Sequence, residues 1–245
     1  MPESANIDVS LKGSAGGFML DAAFSVPASG VTALWGPSGS GKTTLLRAIA
    51  GLSRLEGHVK IGGEVWQDGR RFVPVHKRRV GYVFQEASLL PHLSVRGNLD
   101  FAHRRNGGHH VDFDGLVERL KLPSLLNRSV GRLSGGERQR VALARTLMSA
   151  PEILLMDEPL SSLDSEAQAE IVPMIAALSR DTGLAILYVS HDAYEVERLA
   201  DRTLRLSKGR IIDTPEASFP AQLDSFSEAQ IRALAEAALK AGLRV

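Results

Sequence analysis

The 245-residue chain contains no cysteine, which excludes disulfide scaffolds, cysteine zinc sites and thiol nucleophiles. Aromatic residues make up only 5% of the chain, and no window approaches the roughly 18 apolar residues that a membrane-spanning helix needs. Neither sign of charge is in excess, since 29 Lys and Arg against 28 Asp and Glu give a net charge of +1. We therefore expect a globular chain that does not cross a bilayer and has no nucleic-acid partner.

Three short apolar runs do not alternate with polar residues. They are Val31–Trp35, Ile153–Met156 and Leu184–Val189, and each is closed by Gly, Asp or Ser. Strands that are apolar on both faces are typical of a parallel sheet covered by helices on both sides. The runs therefore predict a doubly wound α/β core.

Other segments have different periods. Residues 18–26 and 59–65 alternate apolar and polar residues, which predicts antiparallel strands with one exposed face. Residues 204–212 carry a Ser-Lys-Gly turn between apolar pairs and predict a hairpin. Residues 87–150 contain apolar residues at helical spacing, which predicts a helical insertion.

A glycine-rich loop follows the first buried run and leads into helix-forming residues. The loop and its continuation are Gly36, Pro37, Ser38, Gly39, Ser40, Gly41, Lys42, Thr43 and Thr44. Glycines allow successive backbone N–H groups and the positive end of a helix to approach a polyanion. Lys42 is then placed to reach the β and γ phosphates, and Thr43 offers its hydroxyl to Mg²⁺. The pattern predicts a nucleotide-phosphate site, against the alternative of a chance glycine turn.

The second buried run ends in two adjacent carboxylates, Asp157 and Glu158. Open α/β sheets bind ligands at the carboxyl ends of their strands, where these residues lie. Asp157 suits Mg²⁺, and Glu158 suits the acceptance of a proton from an attacking water. The alternative is that these acidic residues cap the helix expected to begin near Ser165.

The phosphate loop and the carboxylates alone fit a small GTPase, a nucleotide kinase or a helicase equally well. Residues Leu133–Arg140 add a second glycine-containing helix start, with Ser134, Gly135, Gly136 and Glu137. One phosphate loop does not need a second anion-binding terminus. With this motif the sequence resembles the ATP-binding-cassette family over about residues 7–215. In that family the motif closes over the γ-phosphate held by the opposite subunit.

The resemblance implies roles for further residues. Gln85 occupies the position of the family's Q-loop, where the amide carbonyl binds Mg²⁺ and senses the membrane partner. Asp164 ends a segment similar to the family's D-loop, with Ser162 where Ala is usual. His191, after the third buried run, is similar to the switch histidine that contacts the γ-phosphate and orients water.

The resemblance also implies the fold and its boundaries. We expect a P-loop NTPase fold, with a RecA-like parallel sheet core, an antiparallel β-subdomain and a helical insertion. One ATPase domain would cover residues 1–222, with its core at 1–86 and 151–222 and its helical subdomain at 87–150. Residues 223–245 carry an apolar stripe and are expected to form a C-terminal helix.

The function that the resemblance implies is ATP hydrolysis with Mg²⁺, in a dimer of two copies bound head to tail. Such a subunit lies on the cytoplasmic face of the inner membrane, contacts permease subunits and depends indirectly on a periplasmic solute-binding protein. Residues 77–85, 95–99 and 187–191 look most like the ATPases of bacterial molybdate importers. The alternatives are an importer of another solute, a non-transport cassette ATPase and a phosphate-loop metabolic kinase.

Two local questions stay open in the sequence. Residues 87–95 are unusually apolar for a connector, which favours a docking groove for a permease helix, but Leu89, Leu90 and Leu93 could instead fill the helical core. Phe18 is the nearest aromatic residue to the place where the family stacks adenine. Its alternating pattern equally indicates a core residue.

Overall fold

The computed structural model of the protein describes residues 5–212, which form two β-sheets and the helices around them. The strands are β1 Asn6–Ala15, β2 Phe18–Pro27, β3 Val31–Trp35, β4 Glu56–Ile61, β5 Glu64–Gln67, β6 Val80–Val83, β7 Ile153–Asp157, β8 Ala185–Ser190, β9 Arg202–Ser207 and β10 Arg210–Ile212. The α-helices are α1 Lys42–Ala50, α2 Val95–His103, α3 Phe113–Arg119, α4 Gly135–Leu147, α5 Ser165–Thr182 and α6 Ala193–Leu199. Short 3₁₀ helices lie at Val75–Lys77, Pro123–Leu125 and Val130–Arg132.

The larger sheet has six strands in the order β10-β9-β3-β8-β7-β6. Strand β8 lies between β3 and β7 and is parallel to both. Every residue of β7 and β8 is buried, as expected for strands with helices on both faces. The three predicted parallel strands are thereby confirmed, and their carboxyl ends share one edge of the sheet.

The smaller sheet has four antiparallel strands in the order β2-β1-β4-β5. In β2, Leu20, Ala22 and Val26 are buried, whereas Met19 and Asp21 on the other face are exposed. This alternation agrees with the period-two pattern of the sequence. The predicted hairpin near the end of the described chain is also present as β9 and β10.

The helical insertion contains α2, α3 and α4. Val95 and Leu99 of α2, Val117 of α3 and Val141 of α4 are buried in one hydrophobic cluster with residues of β7 and β8. Helix α3 begins at Phe113, where the helical stripe in the sequence begins, and the Asp112 carboxylate accepts the Gly115 N–H at 2.9 Å. Burial of this cluster attaches the insertion to the parallel sheet.

Two strands were not predicted. Strand β1 pairs with both β2 and β4, and β6 forms the edge of the parallel sheet beside β7. The β6 sequence is only four residues long and includes Gly81, so neither its length nor its pattern identifies it as a strand. The segment is a strand because it pairs with β7, which is distant in sequence.

The predicted C-terminal helix at 223–245 lies outside the described residues, and the domain boundaries at 86, 150 and 222 stay predictions. Within residues 5–212, no helix has both the length and the apolar content that crossing a membrane requires.

Candidate functional site

The glycine-rich loop connects β3 to α1 at the carboxyl edge of the parallel sheet. Helix α1 begins at Lys42 after Gly41, which has a φ of 103° and provides no side-chain cap. The first-turn N–H groups therefore lack side-chain acceptors and face the loop. Position 36 requires glycine, because a Cβ there would collide with the Leu206 carbonyl of β9. The loop is thus a backbone cradle at the positive end of a helix.

Lys42 is buried beneath this loop. Its Nζ donates to the carbonyl oxygens of Gly36 at 2.8 Å and Pro37 at 3.1 Å. Burial lowers the pKa of Lys42, while the negative charges of Glu158 and Asp157 oppose that shift. The ammonium therefore lies at the loop, where it can meet an anion.

Asp157 ends β7 and is 8% exposed. Its Oδ1 accepts a hydrogen bond from Thr43 Oγ1 at 2.9 Å, and its Oδ2 accepts one from the Tyr82 hydroxyl at 2.9 Å. The structure thus brings the carboxylate of one motif to the hydroxyl of the other. Together they present oxygen ligands of the kind that a hard divalent cation prefers.

Glu158 lies between a lysine and a histidine. Its Oε1 is 3.9 Å from Lys42 Nζ, and its Oε2 is 3.4 Å from His191 Nδ1. The Glu158 backbone has a φ of 47°, a strained value for a residue with a side chain. The Glu158 N–H donates to the Val189 carbonyl at 3.0 Å, and Ser161 Oγ donates to the Glu158 carbonyl at 2.9 Å. These bonds hold the strained residue at the edge of the sheet.

Phe18 of β2 lies against the loop. A Cβ at Gly41 would collide with the Phe18 ring, and the ring also packs, half-buried, on the core beneath the antiparallel sheet. The loop is supported from the other side by the β9–β10 turn, where the Gly209 N–H donates to the Ser40 carbonyl at 3.0 Å. Both contacts restrict the loop backbone.

Ser134 to Glu137 form the start of α4. The Ser134 hydroxyl accepts the Glu137 N–H at 3.2 Å, and the Glu137 carboxylate accepts the Ser134 N–H at 2.8 Å, which is a capping box. Gly136 lies against Ala167 of α5, where a Cβ would come within 3.1 Å of the Ala167 Cβ. Among residues 5–212, no hydrogen bond joins these side chains to the loop at 36–44.

Asp164 caps α5, because its Oδ1 accepts the Ala167 N–H at 2.8 Å. The alternative in which Asp157 or Glu158 caps this helix is therefore wrong. Those two carboxylates stay available at the strand end.

Gln85 is exposed just beyond β6, and the structure gives its side chain no hydrogen bond to any residue between 5 and 212. The structure therefore does not join Gln85 to Thr43 and Asp157. Beside it lies a cavity of about 270 Å³, lined by Phe84, Phe101, Arg105 and Arg145 among others. Of the apolar segment at 87–95, only Ser88 lines this cavity.

Leu89 packs on the hydrophobic core of the helical insertion. The amide of buried Asn98 ties the segment to α2, accepting the Leu90 N–H at 2.8 Å and donating to the Leu90 carbonyl at 3.1 Å. The cavity therefore lies beside residues 87–95, and the leucines of that segment do not line it.

Sequence reasoning missed two contributors to this region. Tyr82 was not singled out, because its contact with Asp157 depends on the unpredicted strand β6. Glu195 of α6 is 2% exposed and accepts a hydrogen bond from the Tyr188 hydroxyl at 2.7 Å. Glu195 lies four residues after His191, in helix α6. Nothing in the sequence identifies Tyr188 of β8 as its partner.

The strand order, the glycine cradle and the two carboxylates agree with one protein family. The family model described as ABC transporter matches residues 19–161, and the chain belongs to this family.

Curated relatives extend the likeness over most of the chain. It is 54% identical over 207 residues to the molybdenum import ATP-binding protein ModC 2 of Bradyrhizobium diazoefficiens, covering 84% of this chain and 23% of that protein. It is 51% identical over 213 residues to the molybdenum import ATP-binding protein ModC of Rhodopseudomonas palustris strain BisB18, covering 85% of this chain and 56% of that protein. The corresponding protein of Methylococcus capsulatus is 54% identical over 198 residues, covering 80% of this chain and 56% of that protein. The chain thus spans about a quarter to about half of the length of these relatives.

Solved structures agree with the fold. A dimeric bacterial ABC transporter cassette is 25% identical with a TM-score of 0.70, covering 87% of this chain and 100% of that chain. An ATP-binding cassette described as a dimeric post-hydrolysis state bound to ADP and Pi is 24% identical, also with a TM-score of 0.70, covering 87% of this chain and 100% of that chain. The predicted P-loop NTPase fold, with its antiparallel sheet and helical insertion, is confirmed.

Proposed function

We propose that the chain is the ATP-hydrolysing subunit of a bacterial importer for molybdate or a related oxyanion. The observation that carries the proposal is the placement of Glu158, with its carboxylate oxygens 3.9 Å from Lys42 Nζ and 3.4 Å from His191 Nδ1. A candidate base thus lies beside the cradle for the phosphates. The names of the molybdenum import relatives support the solute class.

ATP would bind with its phosphates in the loop at 36–44. The first-turn N–H groups of α1 and the Lys42 ammonium would hold the β and γ phosphates. Thr43 and Asp157 fit Mg²⁺, because the Thr43 hydroxyl in the first turn of α1 and the Asp157 carboxylate at the end of β7 lie 2.9 Å apart. Gln85 would complete that set of ligands only in a different arrangement of its exposed side chain. Bound Mg²⁺ would neutralise charge on the phosphates.

In the proposed reaction, a water molecule attacks the γ-phosphorus in line with the leaving oxygen. Glu158 accepts the proton of the water, since its carboxylate lies at the strand end and faces the loop. His191 orients the water and the γ-phosphate, while Lys42 stabilises the developing charge. The strained backbone at Glu158 suits a residue held for chemistry.

A second copy of the chain would complete the site. Ser134, Gly135 and Gly136 start α4 with a second positive helix end, and the capping box orders that turn. Within one chain, Gly136 lies against Ala167 of α5. In a head-to-tail dimer, Ser134 of one copy would close over the phosphates of the other, with Asp164 near the shared interface. The dimeric form of the related cassettes supports this arrangement.

The cavity between β6 and the helical insertion would receive a short helix of a permease subunit. Phe84 is 41% exposed and Phe101 is 36% exposed, which is unusual for large aromatic side chains without a partner. Arg105 and Arg145 line the same cavity and favour an acidic residue on the incoming helix. This contact would hold the chain on the cytoplasmic face of the inner membrane. A periplasmic solute-binding protein would act on it only through the permease, and no nucleic acid is involved.

Two measurements test this function. The purified chain should release phosphate from ATP only with Mg²⁺, and in proteoliposomes with its permease and binding protein the rate should rise when molybdate is added. Affinity isolation from detergent-solubilised membranes should recover a polytopic permease. Recovery of ribosomes or DNA without a permease would contradict transport, and stimulation by another solute but not by molybdate or tungstate would contradict the solute class.

A further inference from the structure

The second oxygen of the Asp157 carboxylate has a partner of its own. While Oδ1 faces Thr43, Oδ2 accepts a hydrogen bond from the Tyr82 hydroxyl at 2.9 Å. Both carboxylate oxygens are therefore held by hydroxyl donors from different elements, α1 and β6. A carboxylate held at both oxygens has little freedom to rotate.

Tyr82 is the donor in this hydrogen bond, and its hydroxyl reaches Asp157 Oδ2 from the neighbouring strand. It lies on the edge strand β6, one strand away from Asp157 on β7.

The Tyr82 ring is itself supported by Phe84. The two ring centroids are 4.3 Å apart with an interplanar angle of 32°. The two residues are two positions apart, a spacing that places side chains on the same side of an extended chain. Phe84 is exposed in the cavity that Phe101, Arg105 and Arg145 also line. A continuous contact thus runs from the cavity through Phe84 and Tyr82 to Asp157.

We propose that Tyr82 is a positioning residue, which fixes the Asp157 carboxylate for Mg²⁺, and that Phe84 in the cavity holds the Tyr82 ring in place. The inference rests on the proposed function, since it assigns Mg²⁺ to Thr43 and Asp157. Residues that orient a metal-binding side chain typically contribute about 10- to 100-fold to metal affinity or activity. In this role the Tyr82 hydroxyl donates to Asp157, and the ring is held by its contact with Phe84.

The test compares Tyr82→Phe with Tyr194→Phe. Tyr194 is exposed on α6, and its ring lies under Arg198. Its hydroxyl makes no hydrogen bond to any described residue, so removal of that hydroxyl is a matched control. Thermal unfolding is followed while Mg²⁺ is titrated at a fixed concentration of a non-hydrolysable ATP analogue. Tyr82→Phe should need about ten times more Mg²⁺ than wild type for half of the shift. Tyr194→Phe should match wild type, and metal-free, nucleotide-free Tyr82→Phe should still unfold cooperatively.

A wild-type Mg²⁺ requirement in Tyr82→Phe would overturn the positioning role. If the wild-type protein itself showed no shift with the analogue and Mg²⁺, the proposed function would fail instead. Phe84→Leu tests the second part, because it removes the aromatic contact and keeps an apolar side chain. Its Mg²⁺ requirement should rise, and the double variant should need no more than Tyr82→Phe alone. No rise in Phe84→Leu, or full additivity in the double variant, would overturn the part assigned to Phe84.

Discussion

The Thr43 hydroxyl donates a hydrogen bond to Asp157 Oδ1 at 2.9 Å, although 114 residues separate the two in sequence. The contact exists because Thr43 lies in the first turn of the helix after β3, while Asp157 ends β7, and the two strands flank β8 in parallel. Parallel strands end at a common edge, so loops that are distant in the chain meet there. Each motif therefore provides part of one site.

Replacement of Lys42 by Met should weaken nucleotide binding by about 10- to 100-fold. The Lys42 ammonium lies under the loop, and the loss of a charge-assisted hydrogen bond costs about 1.5–3 kcal/mol, roughly 10- to 100-fold in affinity. The measurement is the ATP-dependent rise in the thermal midpoint, which follows the affinity. Lys60→Met on the exposed face of β4 is the control and should keep the wild-type rise. An undiminished rise in Lys42→Met would contradict the assignment of the loop.

The sequence predicts the positions of the site residues wherever it predicts the strands that carry them. Strands β3, β7 and β8 are apolar without alternation, so the edge that joins Lys42, Asp157, Glu158 and His191 followed from the sequence. The Tyr82 contact was not predictable, because β6 becomes a strand only through pairing with β7. The left-handed backbone of Glu158 likewise depends on its bonds to Val189 and Ser161.

Phe18→Ala should weaken ATP and GTP binding by the same factor. The ring packs on Gly41 of the loop, so its loss loosens the phosphate cradle rather than a base contact. Truncation of a half-buried aromatic side chain should also cost roughly 2 kcal/mol of stability. Nucleotide titrations with both bases measure the effect.

The control for this change is Phe24→Ala, since Phe24 is half-buried on the same strand and packs on the same core. It should lower stability by a similar amount and leave nucleotide affinity at the wild-type value. If Phe18→Ala lowered the affinity for ATP but not the affinity for GTP, the result would instead indicate that the ring contacts adenine.

Glu195→Gln should stabilise the protein at neutral pH. Burial raises the pKa of Glu195 above its usual value of 4.5, although hydrogen bonds from Tyr188 and Ser190 oppose this shift and the nearby charges of Asp192 and His191 act in opposite directions. Between 4.5 and the raised pKa, the folded state keeps a proton that the unfolded state releases. Wild-type stability therefore falls as the pH rises through this window.

Gln can still accept the hydrogen bond of the buried Tyr188 hydroxyl, which burial keeps protonated by raising its pKa. Urea unfolding from pH 4 to pH 8 should show Glu195→Gln more stable than wild type at pH 8, with the difference shrinking towards pH 4. Glu197→Gln, an exposed change on the same helix, should follow wild type throughout. Lower stability of Glu195→Gln at pH 8 would contradict a protonation cost at this position.

Glu158 is the proposed base that activates water for ATP hydrolysis. The most direct measurement is phosphate release from saturating MgATP by Glu158→Gln, with nucleotide binding measured in parallel. Gln keeps the size of the side chain but cannot accept the proton, so turnover should fall by about 10²-fold or more while ATP binding persists. Glu197→Gln should release phosphate at the wild-type rate. If Glu158→Gln released phosphate at the wild-type rate, Glu158 would not be the base.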